Sequence, residues 1–392
     1  MREEGDDRSI RAEWESLQPE LVQLIADRVL STSGVDEYLA MRAVCPGWRS
    51  AVSKPSPHAA VADLRFRPRQ WVLLNGADDD EDRPLFLNVT TGRFRRLRLP
   101  VLRDYILVGA PDGLLVLGDR EGPHAARLLN PLTGDMLPFA APIYPEAWVE
   151  TAVAGTEPTI IFSLPPVCFS FYCPLKRGWE DAVYSADPKG QLRVVKFHDA
   201  ASDDLGLFFL RSMVTYAGNV YVLSSGGTLC KIVWTGSHWY GERILEIGRE
   251  DTGTLLECAG KLLLVRKDSE ITEVFSVDVE RKVLEPIKNI GNSALFLSYS
   301  KWIVVDADKL PSIDGNCIYS ADAGHQFDSM YVRYESYDLS DGKRKYVNCP
   351  QVPQDVCGAE SGTIYEGPLS LAQVLLTPYP EVKAQVDRFH QT

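Results

Sequence analysis

The pentapeptide Asn88–Gly92 (NVTTG) recurs 42 residues later as Asn130–Gly134 (NPLTG), and a looser copy (DLSDG) stands at Asp338–Gly342. The first side chain of each copy, Asn or Asp, can close a local turn, and the final glycine supplies the positive φ of a tight hairpin. Short apolar segments of strand period flank the copies. The repeat therefore predicts β-hairpins that recur at a regular spacing.

A second unit, strand, x-Gly, strand, recurs around Gly113, Gly218 and Gly260, and the last two glycines are again 42 residues apart. A period of about 40 to 50 residues, with two hairpins per unit and no helix between them, is typical of propeller blades. We predict an all-β domain that forms a six- or seven-bladed β-propeller. A β-sandwich is the competing fold, because many short strands with turn signals also suit it.

Before the β region, residues Trp14–Val52 are the one stretch whose apolar residues recur at helical spacing. The positions i, i+3, i+4 and i+8 of one helix side are all apolar: Leu21, Leu24, Ile25 and Val29. Val22 and Ala26 widen this stripe, so the helix is predicted to bury a broad face.

The boundaries of three short helices can be read from the same stretch. Pro19 and Glu20 suit a first turn, Gly34 marks a break, Asp36 can cap a second helix, and Pro46 opens a third. About 40 residues is near the lower size limit for an independent core. We therefore expect a partner or a neighbouring domain to cover the remaining apolar face.

The order Leu17, Pro19, Glu20, Leu21, followed by Arg42–Ser50 (RAVCPGWRS), resembles the F-box of plant ubiquitin-ligase receptors. A departure is Gln18, which stands where the family usually has proline directly after leucine. The resemblance implies that a Skp-type adaptor, and through it a cullin–RING ligase, is the partner of this module. The adaptor-binding residues that it implies are Leu17, Pro19, Leu21, Ile25, Val29, Val44 and Trp48.

Two distant parts of the β region resemble the plant-specific DUF295 domain, a kelch-like β-propeller that the family pairs with an F-box. The matching segments are Asp112–Val116, Leu128–Gly134, Leu295–Leu297, Gly315–Tyr319 and Tyr337–Leu339. The resulting division is a disordered N-terminus (1–10), an F-box module (11–52), a linker (53–64), a DUF295 propeller (65–380) and a tail (381–392). Within the C-terminal segment, LSLAQVLLTP is either a strand that closes the ring or a short helix.

The net charge of −13 opposes nucleic acid or an anionic membrane as a partner. The eight cysteines are scattered without a C-x-x-C pair, which indicates reduced thiols in a cytoplasmic or nuclear protein. The acidic N-terminus lacks the apolar core of a secretory signal, and no membrane span is expected. The longest apolar stretch, Thr159–Leu175, is interrupted in its middle by Pro165 and Pro166 and predicts two strands with a turn.

Motifs that carry chemistry do not occur in the sequence. No nucleophile elbow, zinc-protease motif, phosphate loop or dinucleotide fingerprint is present, and the six histidines are dispersed. We expect no catalytic site, no metal and no cofactor. Cys168 and Cys173 are predicted to be buried thiols rather than ligands, and the acidic run Asp78–Asp82 to be a solvated hairpin tip rather than a calcium loop.

Four arginines around Phe94 occupy nearly alternate positions: Arg93, Arg95, Arg96 and Arg98. This pattern predicts a strand with one solvent-exposed face rather than a nucleic-acid site. Phe94, Leu97 and Leu99 are predicted to turn inward or pack locally. Most of five tryptophans in the β region are predicted to be core residues, although aromatic side chains can also anchor a recognition surface: Trp71, Trp179, Trp234, Trp239 and Trp302.

By resemblance, the chain is a substrate receptor of an SCF-type cullin–RING ubiquitin ligase, with a propeller that binds an unknown target protein. One alternative is a propeller with enzymatic or sugar-binding activity. A second is a plain binding protein with a vestigial F-box, which Gln18 keeps open. For the apolar stripe of the first helix there is also a purely structural interpretation. Its side chains would then pack inside a small helical cap on the propeller.

Overall fold

Six β-sheets follow one another along the chain and form a six-bladed β-propeller, preceded by short helices. The computed structural model describes residues 14, 16–75, 83–122, 124–143, 151–155, 157–163, 183–197, 210–248, 253–267, 272–298, 302–326, 329–346 and 371–376. The predicted propeller is confirmed, and the number of blades is six.

In the described residues, blades 1 to 3 hold three, four and four strands. Blade 1 consists of β1 (Trp71–Asn75), β2 (Leu85–Asn88) and β3 (Phe94–Arg96). Blade 2 consists of β4 (Tyr105–Gly109), β5 (Leu115–Asp119), β6 (Ala125–Leu129) and β7 (Met136–Pro142). Blade 3 consists of β8 (Thr151–Ala154), β9 (Thr159–Ser163), β10 (Val183–Ala186) and β11 (Leu192–Val194).

Blades 4 to 6 hold five, four and five strands. Blade 4 consists of β12 (Lys196–Phe197), β13 (Leu210–Tyr216), β14 (Asn219–Ser224), β15 (Thr228–Trp234) and β16 (Trp239–Glu246). Blade 5 consists of β17 (Gly253–Cys258), β18 (Lys261–Lys267), β19 (Thr272–Asp278) and β20 (Val283–Ile287). Blade 6 consists of β21 (Ser293–Leu297), β22 (Trp302–Asp306), β23 (Cys317–Gln326), β24 (Ser329–Asp338) and β25 (Arg344–Tyr346). Pairing is antiparallel except for β12 with β16 and β21 with β23.

The recurring pentapeptides form the same turn in three blades, between the last two strands of each. The Asn88 side-chain oxygen accepts hydrogen bonds from the backbone N–H groups of Thr90 and Thr91, both at 3.1 Å. The Asn130 oxygen accepts the equivalent bonds in blade 2, and the Asp338 carboxylate accepts one from the Ser340 N–H in blade 6. The predicted hairpins are confirmed.

Two of the three x-Gly units form two-residue turns between the first pair of antiparallel strands in a blade, whereas Gly113 ends a 3-10 turn, Pro111–Gly113, between β4 and β5. Ala217 and Gly218 have φ of 48° and 76°, and Ala259 and Gly260 have 49° and 73°. Positive φ at both central residues is the geometry of a type I′ turn, whose twist matches that of the flanking strands. These turns join β13 to β14 and β17 to β18, so the 42-residue spacing of Gly218 and Gly260 is the length of one blade.

Apolar side chains on facing sheets fill the spaces between blades. Between blades 4 and 5 a buried polar link is added, because the Ser212 hydroxyl accepts a hydrogen bond from the Leu255 N–H at 3.0 Å. Between blades 6 and 1, Leu74 and Leu87 pack with Phe296. The helix Leu371–Leu376 joins this cluster, so the segment LSLAQVLLTP contributes a helix rather than a closing strand.

In the part of the chain that the structure describes, four helices of six or more residues precede the propeller: α1 (Pro19–Thr32), α2 (Val35–Met41), α3 (Pro46–Ala51) and α4 (Pro57–Ala62). The helix Leu371–Leu376 is α5. The starts of α1 and α3 agree with the sequence prediction. The residue at the N-cap of α2 is Gly34 with φ of 106°, whereas Asp36, the predicted cap, lies in the first turn.

Helix α4 lies inside the segment 53–64 that was predicted as a linker. Its Ser56 side chain accepts a hydrogen bond from the Ala59 N–H at 3.1 Å, which is an N-cap, and Pro57 occupies the first helical position. Val61 packs into the core shared by blades 2 and 3. Two prolines obscured this helix in the sequence, because one of them begins it.

Two buried polar side chains attach the helices to the propeller. The Asn130 amide donates hydrogen bonds to the carbonyls of Ala60 at 2.8 Å and Phe66 at 2.9 Å. The Arg67 guanidinium donates to the carbonyl of Val153 at 3.0 Å and lies 3.3 Å from the Asp112 carboxylate. Burial lowers the pKa of Arg67, and the charge of Asp112 opposes that effect. The helices are therefore fixed to blades 2 and 3.

Some side chains differ from the sequence prediction. Phe94 is 44% exposed rather than turned inward, because β3 is the outermost described strand of its sheet, whereas Leu97 and Leu99 are buried as predicted. Trp71 is buried, and Trp234 is exposed. Trp239 and Trp302 are half-buried.

Several predictions concern residues outside the described part of the chain: the N-terminus 1–10, the run Asp78–Asp82, Cys168, Cys173, Trp179, the region 164–175 and the tail 381–392. Among the helices that the structure describes, none is long and apolar enough to cross a membrane.

We expect Asn130→Ala to lower the free energy of unfolding by about 2–4 kcal/mol, because it removes both turn bonds and both bonds to the helical segment. Asn88→Ala is the control, since it removes the equivalent turn bonds in blade 1 together with a bond from the Thr90 hydroxyl, and we expect a loss of about 1 kcal/mol. Urea unfolding followed by circular dichroism measures both. Equal losses would show that the bonds to Ala60 and Phe66 contribute nothing.

Candidate functional site

Helix α1 carries apolar side chains on two sides. Val22 and Ala26 are buried, at 1% and 0% exposed. The neighbouring large side chains point to solvent, with Leu21 46%, Leu24 65% and Ile25 38% exposed. The stripe that was predicted to be buried is therefore largely the exposed side. Periodicity indicated a broad apolar surface, and contact with α2 and α3 determined which part of it became core.

The buried side of α1 belongs to a core shared by the helical segment and the start of the propeller domain. Its members are Val22, Ala26, Leu30, Val35, Tyr38, Met41, Val52 and Phe66. The ring of Tyr38 packs edge-on against Phe66 at 5.6 Å between centroids, and its hydroxyl donates to the Ser53 carbonyl at 2.8 Å. Leu21, Leu24 and Ile25 lie outside this core.

The motif Arg42–Ser50 has a structural basis in hydrogen bonds between α2 and α3. The Cys45 sulfur accepts a bond from the Trp48 N–H at 3.4 Å and caps α3. The Arg42 guanidinium donates to the carbonyls of Arg49 and Val52, and Arg49 Nε donates back to the Arg42 carbonyl at 3.1 Å. These bonds fix the turn on which Val44 stands exposed.

The seven residues predicted to bind an adaptor fall into two groups. Those that are exposed are Pro19, Leu21, Ile25 and Val44. Those that are half-buried and pack against the module core are Leu17, Val29 and Trp48. The half-buried residues therefore lie between the exposed residues and the core. The Trp48 indole N–H also donates to the Trp14 carbonyl at 3.1 Å.

Two exposed apolar residues were missing from the predicted set. Leu24 is the most exposed large apolar residue of α1, and Trp14 lies just before the helix with 53% exposure. The signal for Leu24 was present, since it lies in the same stripe as Leu21 and Ile25. Helical spacing gave no information on Trp14, which precedes the first turn. We name the five exposed side chains the outer apolar face: Trp14, Leu21, Leu24, Ile25 and Val44.

An acidic pair lies where α2 meets blade 1. Burial, together with the hydrogen bond and the charge of Asp36, raises the pKa of Glu37 from 4.5 to about 7. The charge of Arg93, on the β2–β3 turn, acts in the opposite direction. Glu37 is thus an acid that titrates near neutral pH at the junction of the helices and the propeller.

A cleft of about 290 Å³ lies between the end of α1, the start of α2 and the segment 64–71. Its three arginines have carboxylate partners: Arg65 is 2.7 Å from Asp63, and Arg67 and Arg69 share Asp112 at 3.3 and 4.0 Å. Asp36 also lines the cleft. The cleft therefore has little unneutralised positive charge with which to hold an anion.

In the described part of the chain, the histidines lie on separate elements. His58 lies in α4, His124 precedes β6, and His238 lies between β15 and β16. No group of three His, Cys, Asp or Glu side chains among the described residues could hold a metal ion. Burial raises the pKa of Cys230 to about 12 and that of Cys317 to about 11, so both are neutral thiols at physiological pH.

Comparison with known proteins gives one family. The sequence model described as KIB1-4 beta-propeller matches residues 86–338, which is well over half of the chain and extends from β2 to the end of β24. No curated protein matches the chain.

Several solved structures share a remote likeness with the chain. A putative 6-phosphogluconolactonase from Bacteroides uniformis is 15% identical over 68% of this chain and 77% of its own, with a TM-score of 0.33. AztD from Citrobacter koseri is 12% identical over 68% and 83%, with a TM-score of 0.33. The WD40 domain of SCAP from fission yeast is 10% identical over 71% and 64%, with a TM-score of 0.34. Similarity this low carries no argument about function.

We expect Leu21→Asp and Leu24→Asp to change the free energy of unfolding by less than about 0.5 kcal/mol, because both side chains already face water. The matched change on the buried side of α1 is Val22→Asp. It places a charge in the core around Tyr38 and Phe66 and should unfold the helices. Thermal unfolding and far-ultraviolet circular dichroism measure the difference. A large loss for Leu24→Asp would mean that the outer apolar face is covered within the chain.

Glu37 makes stability depend on pH. Its carboxyl pKa is higher in the folded chain than the ordinary 4.5, so the folded state holds the extra proton between pH 4.5 and about 7, and stability falls as pH rises through that window. Glu37→Gln removes this dependence. We expect the variant to gain stability relative to the parent from pH 5 to pH 8 in urea unfolding, and parallel pH profiles would contradict the assignment.

Proposed function

The chain belongs to the KIB1-4 beta-propeller family, and from this premise we propose that it is the substrate-recognition subunit of an SCF-type cullin–RING ubiquitin ligase. In this proposal the helical module α1–α3 is an F-box that docks a Skp-type adaptor, and the propeller, of the plant DUF295 type, binds a target protein. The chain itself is not an enzyme and needs no cofactor. Nucleic acid and membrane are not its partners, and it works in the cytoplasm or the nucleus.

The observation that carries the proposal is the outer apolar face. A surface helix of a self-contained domain normally buries its apolar side and exposes polar residues. Helix α1 buries Val22 and Ala26, yet exposes Leu21, Leu24 and Ile25 next to them. A contiguous apolar surface of this kind marks a protein interface. The resemblance of Arg42–Ser50 to the F-box indicates a Skp-type adaptor as the partner.

The half-buried residues give this face its rigidity. Trp48 packs under α1 and holds Trp14 through its indole N–H, and Leu17 and Val29 pack against the module core. A surface held in this way loses little side-chain entropy on binding, which favours affinity.

The rigid junction supports a role in positioning. Arg67 and Asn130 tie the helices to blades 2 and 3 with buried hydrogen bonds, so a target on the propeller would keep a fixed orientation relative to the adaptor. A ubiquitin ligase gains rate by holding the target lysine near an activated thioester, and orientation of this kind is a large part of such catalysis.

The test is co-expression of the full chain with a plant Skp-type adaptor, followed by size-exclusion chromatography. We expect the parent to co-elute with the adaptor. The double variant Leu21→Asp, Ile25→Asp should elute alone, because burying two unpaired carboxylates in an apolar interface costs several kcal/mol.

A matched control carries the same change on exposed apolar residues of blades 3 and 4, Val194→Asp with Trp234→Asp. This control should co-elute like the parent, and circular dichroism should show both double variants folded. A folded parent that elutes without the adaptor would overturn the ligase role. Equal loss in both double variants would show that the outer apolar face is not the docking site.

A further inference from the structure

The third strand of blade 1 is a sheet edge. Within the part of the chain that the structure describes, blade 1 has three strands in the order β1-β2-β3, whereas every other blade has four or five. Among the described strands, β3 is therefore the edge of blade 1, which has one strand fewer than its neighbour blade 2. Edge strands of this kind present backbone donors and acceptors that can pair with another strand.

The direction of the backbone groups follows from the pairing with β2. The Arg93 carbonyl accepts a bond from the Asn88 N–H at 2.9 Å, and the Leu97 N–H donates to the Pro84 carbonyl at 3.1 Å. In an antiparallel pair, alternate residues face the partner strand. Residues 93, 95 and 97 thus face β2, and the N–H and C=O groups of Phe94 and Arg96 face outward.

The side chains of this edge are basic on both faces. Phe94 pairs with Leu87 and Arg96 with Leu85, which puts Phe94 and Arg96 on one face of the sheet and Arg95 on the other. Four exposed arginines line the edge and its flanks: Arg93, Arg95, Arg96 and Arg98. Phe94 adds an exposed aromatic ring among them. A cluster of four cations stands out in a chain of net charge −13.

We propose that the β3 edge binds an extended acidic peptide segment of a partner protein, which pairs with Phe94 and Arg96 as a fourth strand of blade 1. The backbone groups of Phe94 and Arg96 supply main-chain hydrogen bonds, and this is the recognition mode of strand addition. Carboxylates on either face of the added strand meet arginines, whose planar donors suit carboxylate geometry. Phe94 contacts one apolar residue of the peptide.

The same edge fits a peptide better than a nucleic acid. Three residues of strand extend only about 10 Å, which is too short for a phosphate track of several nucleotides. The outward backbone groups match those of a peptide strand. This inference rests on blade 1 alone and is independent of whether the helices bind an adaptor.

The test measures binding of the full chain to a fluorescein-labelled peptide, EEVEIEE, by fluorescence anisotropy, with KKVKIKK as the matched control. We expect the parent to bind the acidic peptide at least tenfold more tightly than the basic one. Arg95→Glu with Arg96→Glu should reverse that preference. The unfolding temperature of each variant, which should equal that of the parent, controls for folding.

Two variants of Arg96 separate the contribution of its backbone N–H to binding from the contribution of its side-chain charge. Arg96→Ala removes the charge and keeps the outward N–H, whereas Arg96→Pro removes both, and a proline on a sheet edge whose N–H faces outward leaves the internal ladder intact. We expect Arg96→Pro to bind the acidic peptide roughly fivefold more weakly than Arg96→Ala, as for one lost hydrogen bond.

Several results would overturn the proposal. Equal affinities of the two Arg96 variants would show that no strand is added, and equal affinities of the two peptides would remove the charge argument. Tighter binding of a labelled oligo-dT of 14 nucleotides than of the acidic peptide would assign the edge to nucleic acid. Binding of EEVEIEE only after Asp78–Asp82 are replaced by serines would assign the edge to the chain's own acidic run.

Discussion

The side-chain amide of Asn130 is the interaction on which the arrangement of the two parts of the molecule depends. Its oxygen closes the β6–β7 turn by accepting the N–H groups of Leu132 and Thr133, and its nitrogen donates to the carbonyls of Ala60 and Phe66. One buried residue therefore belongs both to the repeat that builds the propeller and to the junction that holds the helices. Each carbonyl it satisfies would otherwise be buried without a partner, which is costly. Arg67 has the same role towards blades 2 and 3.

Helix α1 carries apolar side chains on two sides, and the junction formed by Asn130 and Arg67 fixes the helical segment to the propeller. The inner side, with Val22 and Ala26, is needed for the core around Tyr38 and Phe66. The outer apolar face lies on the opposite side of the same helix, so the hydrogen bonds of Asn130 and Arg67 also hold it relative to blades 2 and 3. Blade 1 stands next to this junction, so a peptide on its open edge would lie close to the helices.

Much of the architecture was readable in the sequence, because turns are local. Asn88, Asn130 and Asp338 close their turns with bonds to residues two or three places ahead, and Gly218 and Gly260 sit in two-residue turns. Such features need no distant contact, so their spacing revealed the blade. Helix α4 was missed, because Pro57 reads as a breaker until Ser56 is seen to cap it. The exposure of Phe94 was missed because an edge strand and an inner strand can have the same composition.

The sequence by itself determined the repeat, the strand–turn chemistry and the presence of an apolar helical segment, since each depends on residues a few places apart. Only the tertiary structure decided which side of α1 is buried, which residues of RAVCPGWRS make hydrogen bonds and which stand exposed, and where a sheet ends. These properties depend on packing between residues distant in the chain. Leu21 and Val22 are both apolar and adjacent, and only the position of α2 and α3 makes one of them surface and the other core.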